Sequence, residues 1–186
     1  MVSLKKAGFT IAISSILVAC GGGSGDDSPA PAAVPTTFPI EATISAYLTS
    51  SSAFTTNYID QDNGDVYTLT YGYQPSGDEN FEGAVSKTGV TTLNLKLNGN
   101  FLSSSTATSY FKLSPFKRLG GKTGSGEYIV AGTQTAYPST GKIGDLGSTG
   151  TLTAYTNSAK SQIISTTTST WELSAADNST KAYLCF

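Results

Sequence analysis

The chain has 186 residues, of which only 13% are charged; Lys+Arg 11 nearly balance Asp+Glu 13, and there is no His. So even a charge excludes the basic footprint of a nucleic-acid binder, and the missing imidazole excludes Ser-His-Asp triads, Cys-His dyads and His-ligated zinc. Ser, Thr and Gly make up more than a third of the residues, yet Tyr 10, Phe 8 and Trp 1 are too many aromatics for a disordered chain, so the composition points to a folded, β-rich domain with hydroxyl-rich faces.

The N-terminus has three parts. Lys5 and Lys6 precede an apolar stretch, Ala7–Val18, that is too short to cross a bilayer as a helix. Leu17-Val18-Ala19-Cys20 follows, with a small residue directly before the Cys. This layout is that of a signal peptide, and its last four residues resemble the lipobox of bacterial lipoproteins. The resemblance covers residues 1–20 and implies that the Cys20 thiol receives a diacylglycerol, that the chain is cut before Cys20, and that the new amino group is acylated. It also implies sorting: Gly21, where an Asp would favour inner-membrane retention, points to the outer membrane of a Gram-negative cell. Three acyl chains, at roughly 0.8 kcal/mol per buried CH₂, make such an anchor stable.

Residues 20–39 contain a Gly-rich run, Gly21–Gly25, and then SPAPAAVPTTFP, with no apolar period, which reads as a tether. Cleavage would leave 9 basic and 13 acidic side chains and one further Cys, Cys185. A second thiol for an intramolecular disulfide is then lacking, and Tyr183, Leu184 and Phe186 beside Cys185 suggest a small buried hydrophobe.

Residues 40–186 are one domain by size. Ile40, Ile44, Tyr47 and Leu48 recur at helical spacing, although Ile40, Ala42, Ile44, Ala46 and Leu48 also alternate; a short helix is the preferred reading. Strands follow. Tyr67, Leu69, Tyr71 and Tyr73 share one face of a run beginning at Val66, and Leu93, Leu95 and Leu97 share one face of another. Asn98-Gly99 then predicts a type I′ hairpin. Further strands are expected over 53–59, 108–113, 127–131, 150–155, 161–166, 168–175 and 180–186. The breakers expected between strands are Gln74-Pro75-Ser76-Gly77, Leu119-Gly120-Gly121, Tyr137-Pro138-Ser139 and Asp145-Leu146-Gly147. The class is mainly β, an antiparallel β-sandwich or barrel-like domain with one short N-terminal helix. The sparsely charged Thr-rich stretch Ser165–Thr170 is expected to be paired inside a sheet.

Little in the chain suggests chemistry. Gly121-Lys122-Thr123 resembles the end of a phosphate loop, but Phe116 stands where that motif needs its first Gly, so a Gly-rich loop is expected instead. Asp60-Gln61-Asp62-Asn63-Gly64-Asp65 misplaces the Gly and the terminal Glu of a calcium loop and reads as a polar hairpin turn. Asp78, Glu79 and Glu82 beside Phe81 read as a solvated acidic loop. Trp171, alternating with Leu173, is expected in the core. Tyr58, Tyr67, Tyr71 and Tyr73 are too many for one small core, so Tyr67, Tyr71 and Tyr73 are the candidate ligand-binding residues, with apolar bodies and polar tips.

The function these observations suggest is a membrane-anchored envelope lipoprotein acting as a non-enzymatic binding or structural module. Its expected partners are the lipid bilayer, through acylated Cys20, and an envelope protein or glycan; no nucleic acid, nucleotide, metal or cofactor is expected. The alternative is a His-free, carboxylate-dependent glycoside hydrolase acting on envelope polysaccharide.

Overall fold

A computed structural model describes residues 11–12, 37–176 and 181–186. Cys20 and most of the proposed tether lie outside the described residues. Within the expected signal segment, Ile11–Ala12 forms a short strand, β1. The elements after it are β2 (Phe38–Pro39), α1 (Ile40–Leu48), β3 (Ser52–Ile59), β4 (Val66–Phe81), β5 (Ala84–Leu97) and β6 (Asn100–Leu113). β7 (Phe116–Thr123), β8 (Tyr128–Gln134), β9 (Thr140–Gly141), β10 (Leu146–Tyr155), β11 (Ile163–Ala175) and β12 (Ala182–Cys185) complete the chain. All the pairings are antiparallel. The main sheet is a meander in the order β1-β12-β11-β10-β8-β7-β6-β5-β4-β3, and β2 pairs with β9 as a separate ribbon. The expected mainly β, antiparallel class with one short N-terminal helix is therefore what the chain adopts.

The helical reading of 40–48 wins over the alternating one because Ile40 and Ile44 are buried while Ala42 and Ala46 are exposed. No side chain caps the helix start; Ile40 N–H instead donates to the Ser139 carbonyl at 3.0 Å. At the other end, Thr49 Oγ1 donates to the Ser45 carbonyl at 2.9 Å. α1 and Phe38 of β2 close over Phe111, Phe116, Trp171, Leu173, Ala182 and Leu184 as the main core. Ile40, Leu173 and Leu184 are fully buried, each contributing about 1.5–3 kcal/mol. Trp171 belongs to this core, as its alternation with Leu173 predicts. Phe38, placed in the tether by the sequence reading, is 2% exposed, so the packed domain extends two residues N-terminal to Ile40.

Three expected breakers turn out to lie wholly or partly within strands. β4 runs through Pro75, which is paired with Gly89. The register along β4 aims the proline nitrogen at the β3 side, and β3 begins opposite Tyr73, so no ladder bond is lost there. The register shift between Ser76 and Asp78 marks a bulge at Gly77. Gly120 and Gly121 lie within β7, where a Cβ on Gly120 would stand 2.6 Å from Phe81 Cζ. Gly120 leaves room for that ring and for the Ile129 carbonyl, Gly121 lies against the Thr108 carbonyl, and Gly121-Lys122-Thr123 ends a strand rather than forming the expected loop. Leu146 and Gly147, similarly, open β10.

The two strands expected over 161–175 are one, β11. Ser165–Thr170 pairs with β10, but β12 reaches only Glu172–Ala175 on the other side. The expectation of full pairing therefore holds for one edge only among the described residues, because β12 is four residues long. The Asn98-Gly99 hairpin is as expected, with φ of 50° and 81°.

Candidate functional site

β3, β4 and β5 bring two separately read apolar runs onto one surface. The β4–β5 register sets Tyr67 opposite Leu97, Leu69 opposite Leu95, Tyr71 opposite Leu93 and Tyr73 opposite Thr91. The β3–β4 register adds Phe54 opposite Tyr71 and Tyr58 opposite Tyr67. Phe54 stacks on Tyr71 with centroids 5.0 Å apart, and Tyr58 meets Tyr67 at 6.3 Å. Cross-strand ring pairs of this kind are a unit of sheet stabilisation. Phe54 (42%), Tyr58 (64%) and Leu93 (36%) are nevertheless exposed. The opposite face of the same strands is mostly polar, with the Ile59–Val66 pair at one end: Thr55 and Thr70 hydroxyls lie 3.2 Å apart, and Thr68 donates to Asn57 at 2.8 Å.

Among the described residues, α1 alone packs on the apolar surface, and it covers one end of it. Tyr47 stacks on Tyr73 at 5.2 Å, and its hydroxyl hydrogen-bonds that of Tyr71. Tyr73 donates its hydroxyl to the Leu48 carbonyl at 3.0 Å, and burial pushes its pKa up to about 12. The three candidate tyrosines thus share one face but differ in environment. Tyr67 is half-buried beside Tyr58, and Tyr71 is half-buried between Phe54 and Tyr47. Tyr73 is 4% exposed, so it supports the surface and presents no contact area of its own. The sequence reading named neither Phe54 nor the leucines as site residues. The available signal was that the two alternating runs, 67–73 and 93–97, lie on strands that register places face to face.

A second aromatic cluster lies on the opposite face of the sheet. Phe81 is sandwiched between Tyr110 (4.3 Å) and Tyr128 (5.1 Å), with Leu119 and Val130 packed against them. Lys122 Nζ stands 5.2 Å and 5.8 Å from the two tyrosine ring centroids, within cation–π range. Asp78, Glu79 and Glu82 are exposed as expected, but they lie at the end of β4 and in its turn rather than on a loop, and two of them are tied to this cluster. Tyr110 donates to Glu79 at 3.1 Å and Tyr128 to Glu82 at 2.8 Å, while Asp78 pairs with Lys87 at 2.7 Å. The Lys160 ammonium, 2.7 Å from Glu82, and then the Tyr128 hydroxyl hold the Glu82 carboxyl below its usual range. A carboxylate so held is ionised at neutral pH and has no proton to give a leaving group.

The Asp60–Asp65 segment is the expected polar turn. Asp60 accepts from the Asp62 N–H at 3.0 Å, Asn63 accepts from the Asp65 N–H at 2.9 Å, and Gly64 takes φ 77°. Among the described residues, no group of three Asp, Glu, Cys or His is placed to hold a metal ion. Cys185 is a free, half-buried thiol opposite Glu172. No helix of the described residues is long and apolar enough to cross a membrane.

No family model matches the chain, and no curated protein or solved structure matches it either. The functional reading therefore rests on the residues themselves.

Proposed function

We propose that this protein is a lipid-anchored module of the bacterial cell envelope that binds another envelope macromolecule, a protein or a glycan, without catalysing a reaction on it. The observation that carries the reading is the apolar face of β3, β4 and β5, left uncovered among the described residues. Phe54, Tyr58, Tyr67, Leu69, Leu93, Leu95 and Leu97 form one contiguous surface there, and α1 shields only its Tyr71–Tyr73 end. A contiguous apolar patch with a polar reverse side marks an interaction surface. Tyrosines suit it because they offer large rigid contact area with a hydroxyl at the tip. The anchor is supported by Lys5, Lys6, the apolar Ala7–Val18 run and Leu17-Val18-Ala19-Cys20. With Gly21 rather than Asp after an acylated Cys20, the lipobox resemblance supports sorting to the outer membrane of a Gram-negative cell.

Retention of a defined glycan or protein from envelope extracts on the immobilised chain tests the binding reading. Retention is expected for the wild type and lost for Tyr67→Ser combined with Leu95→Ser. Equal retention by both chains overturns it.

A further inference from the structure

β3 is the last strand of the main sheet, and its outer side meets no strand among the described residues. Asp60 N–H donates to the Asp65 carbonyl at 2.8 Å. Stepping back by twos along the β3–β4 register, the main chains of Tyr58, Thr56 and Phe54 also turn toward β4. The N–H and C=O groups of Asn57, Thr55 and Ala53 therefore turn outward. Ser52–Ile59 contains no Lys, Arg, Asp, Glu or Pro, and so lacks the side chains that ordinarily guard an edge.

We propose that β3 is a self-pairing edge: two copies of this chain join antiparallel along Ser52–Ile59, about a two-fold axis through Thr56. An axis perpendicular to the sheet keeps each face on its own side, so the apolar faces of the two copies become one. In this register, Thr55 of one copy exchanges main-chain hydrogen bonds with Asn57 of the other, which uses the outward groups. Phe54 then lies opposite Tyr58 of the second copy in a non-hydrogen-bonded pair, the type in which side chains come closest. The existing pairs Phe54–Tyr71 and Tyr58–Tyr67 extend into two four-ring rows, each running Tyr71, Phe54, then Tyr58 and Tyr67 of the second copy.

Neighbouring registers lack this match. A slip one way sets Phe54 opposite Thr56, and a slip the other way sets it opposite Asp60. The open part of β11, Ile163–Thr170, has no aromatic residue, so pairing β3 onto it would set both rings against Ser, Thr or Ile. Charge also permits self-pairing, because the nearest charged residue, Asp60, lies one position beyond the strand and comes opposite Ser52. The contact is independent of what the apolar face binds and of how the chain is anchored.

The test uses the full chain in its native membrane, carrying Cys185→Ser and one added cysteine, read against the Cys185→Ser chain alone, which reports any cross-link through Cys20. With Thr56→Cys, two thiols meet on the axis, within the separation a disulfide needs. Mild oxidation is expected to give a reducible band at twice the chain mass. With Ala53→Cys, the two thiols lie six residues apart along the ladder, about 20 Å, and no such band is expected. Thr56→Lys opposes two ammonium groups at the same point. Sedimentation of the detergent-solubilised chain should then show the dimer dissociation constant raised at least tenfold while far-ultraviolet circular dichroism is unchanged. The proposal is overturned by a monomeric wild type at every concentration, by equal cross-linking at 53 and 56, by a ladder of higher species, or by a Thr56→Cys adduct with a different polypeptide.

Discussion

Tyr73 lies across Gly89 so closely that a Cβ on Gly89 would overlap the tyrosine ring. The glycine gives the ring the depth it needs to reach under α1, where its hydroxyl meets the Leu48 carbonyl and its face meets Tyr47. This pair fixes the end of the apolar surface: it holds the helix over one edge of that face and leaves the rest uncovered.

Gly89→Ala should therefore destabilise the domain by about 1–3 kcal/mol, the usual cost of overpacking a closed site. The cost arises from one ring, so most of it should vanish in a Tyr73→Ala background. Chemical denaturation of the four chains of the double-mutant cycle measures this coupling. Additive costs would show that Gly89 matters for some other reason.

Phe81 and Gly120 form a similar pair on the opposite face. Phe81→Ala removes a ring stacked between two tyrosines and should cost about 3–5 kcal/mol. Gly120→Ala meets both that ring and the Ile129 carbonyl, which is backbone and cannot move aside. It should stay destabilising even when combined with Phe81→Ala. The melting temperatures of the two single variants and the double variant distinguish the two obstacles.

Burial raises the pKa of Tyr73 to about 12, and burial with a hydrogen bond to Glu82 raises that of Tyr128 likewise from an ordinary 10.0. A group whose folded pKa is raised contributes stability that is complete below its unfolded pKa and is lost as pH rises through the folded one. The domain should therefore lose stability between pH 10 and about pH 12. Denaturation midpoints across that range, with tyrosinate absorbance followed in parallel, report it. Tyr73→Phe should flatten part of the loss.

Much of this was legible in the chain because it is local. The 3.6-residue spacing of Ile40, Ile44, Tyr47 and Leu48 gives α1, and Asn98-Gly99 gives the β5–β6 turn, with each residue at positive φ. The parity of Tyr67, Leu69 and Tyr71 places them on one face before any partner strand is known. What was not legible depends on partners distant in sequence. Pro75 reads as a breaker until β3 is seen to begin opposite Tyr73, and Gly120 reads as part of a turn until the Phe81 ring and the Ile129 carbonyl close in on it from other strands. Glu79 and Glu82 are exposed as their sequence suggests, but nothing near them in the chain shows that the Tyr110 and Tyr128 hydroxyls donate to them.

The anchor makes its own prediction. Cys20→Ser should abolish incorporation of labelled palmitate and release the protein from membranes on alkaline extraction. Membrane retention of the unlabelled variant would refute acylation at Cys20.

The claim that the β3–β4–β5 face is the contact surface is tested most directly by face-resolved photocross-linking in intact cells. Leu93 lies on that face opposite Tyr71, and its chain neighbour Asn94 lies on the reverse face opposite Thr70. A benzophenone amino acid in place of Leu93 should give an adduct with another envelope component, and the same probe in place of Asn94 should give none. Adducts at both positions, or at Asn94 alone, would contradict the account.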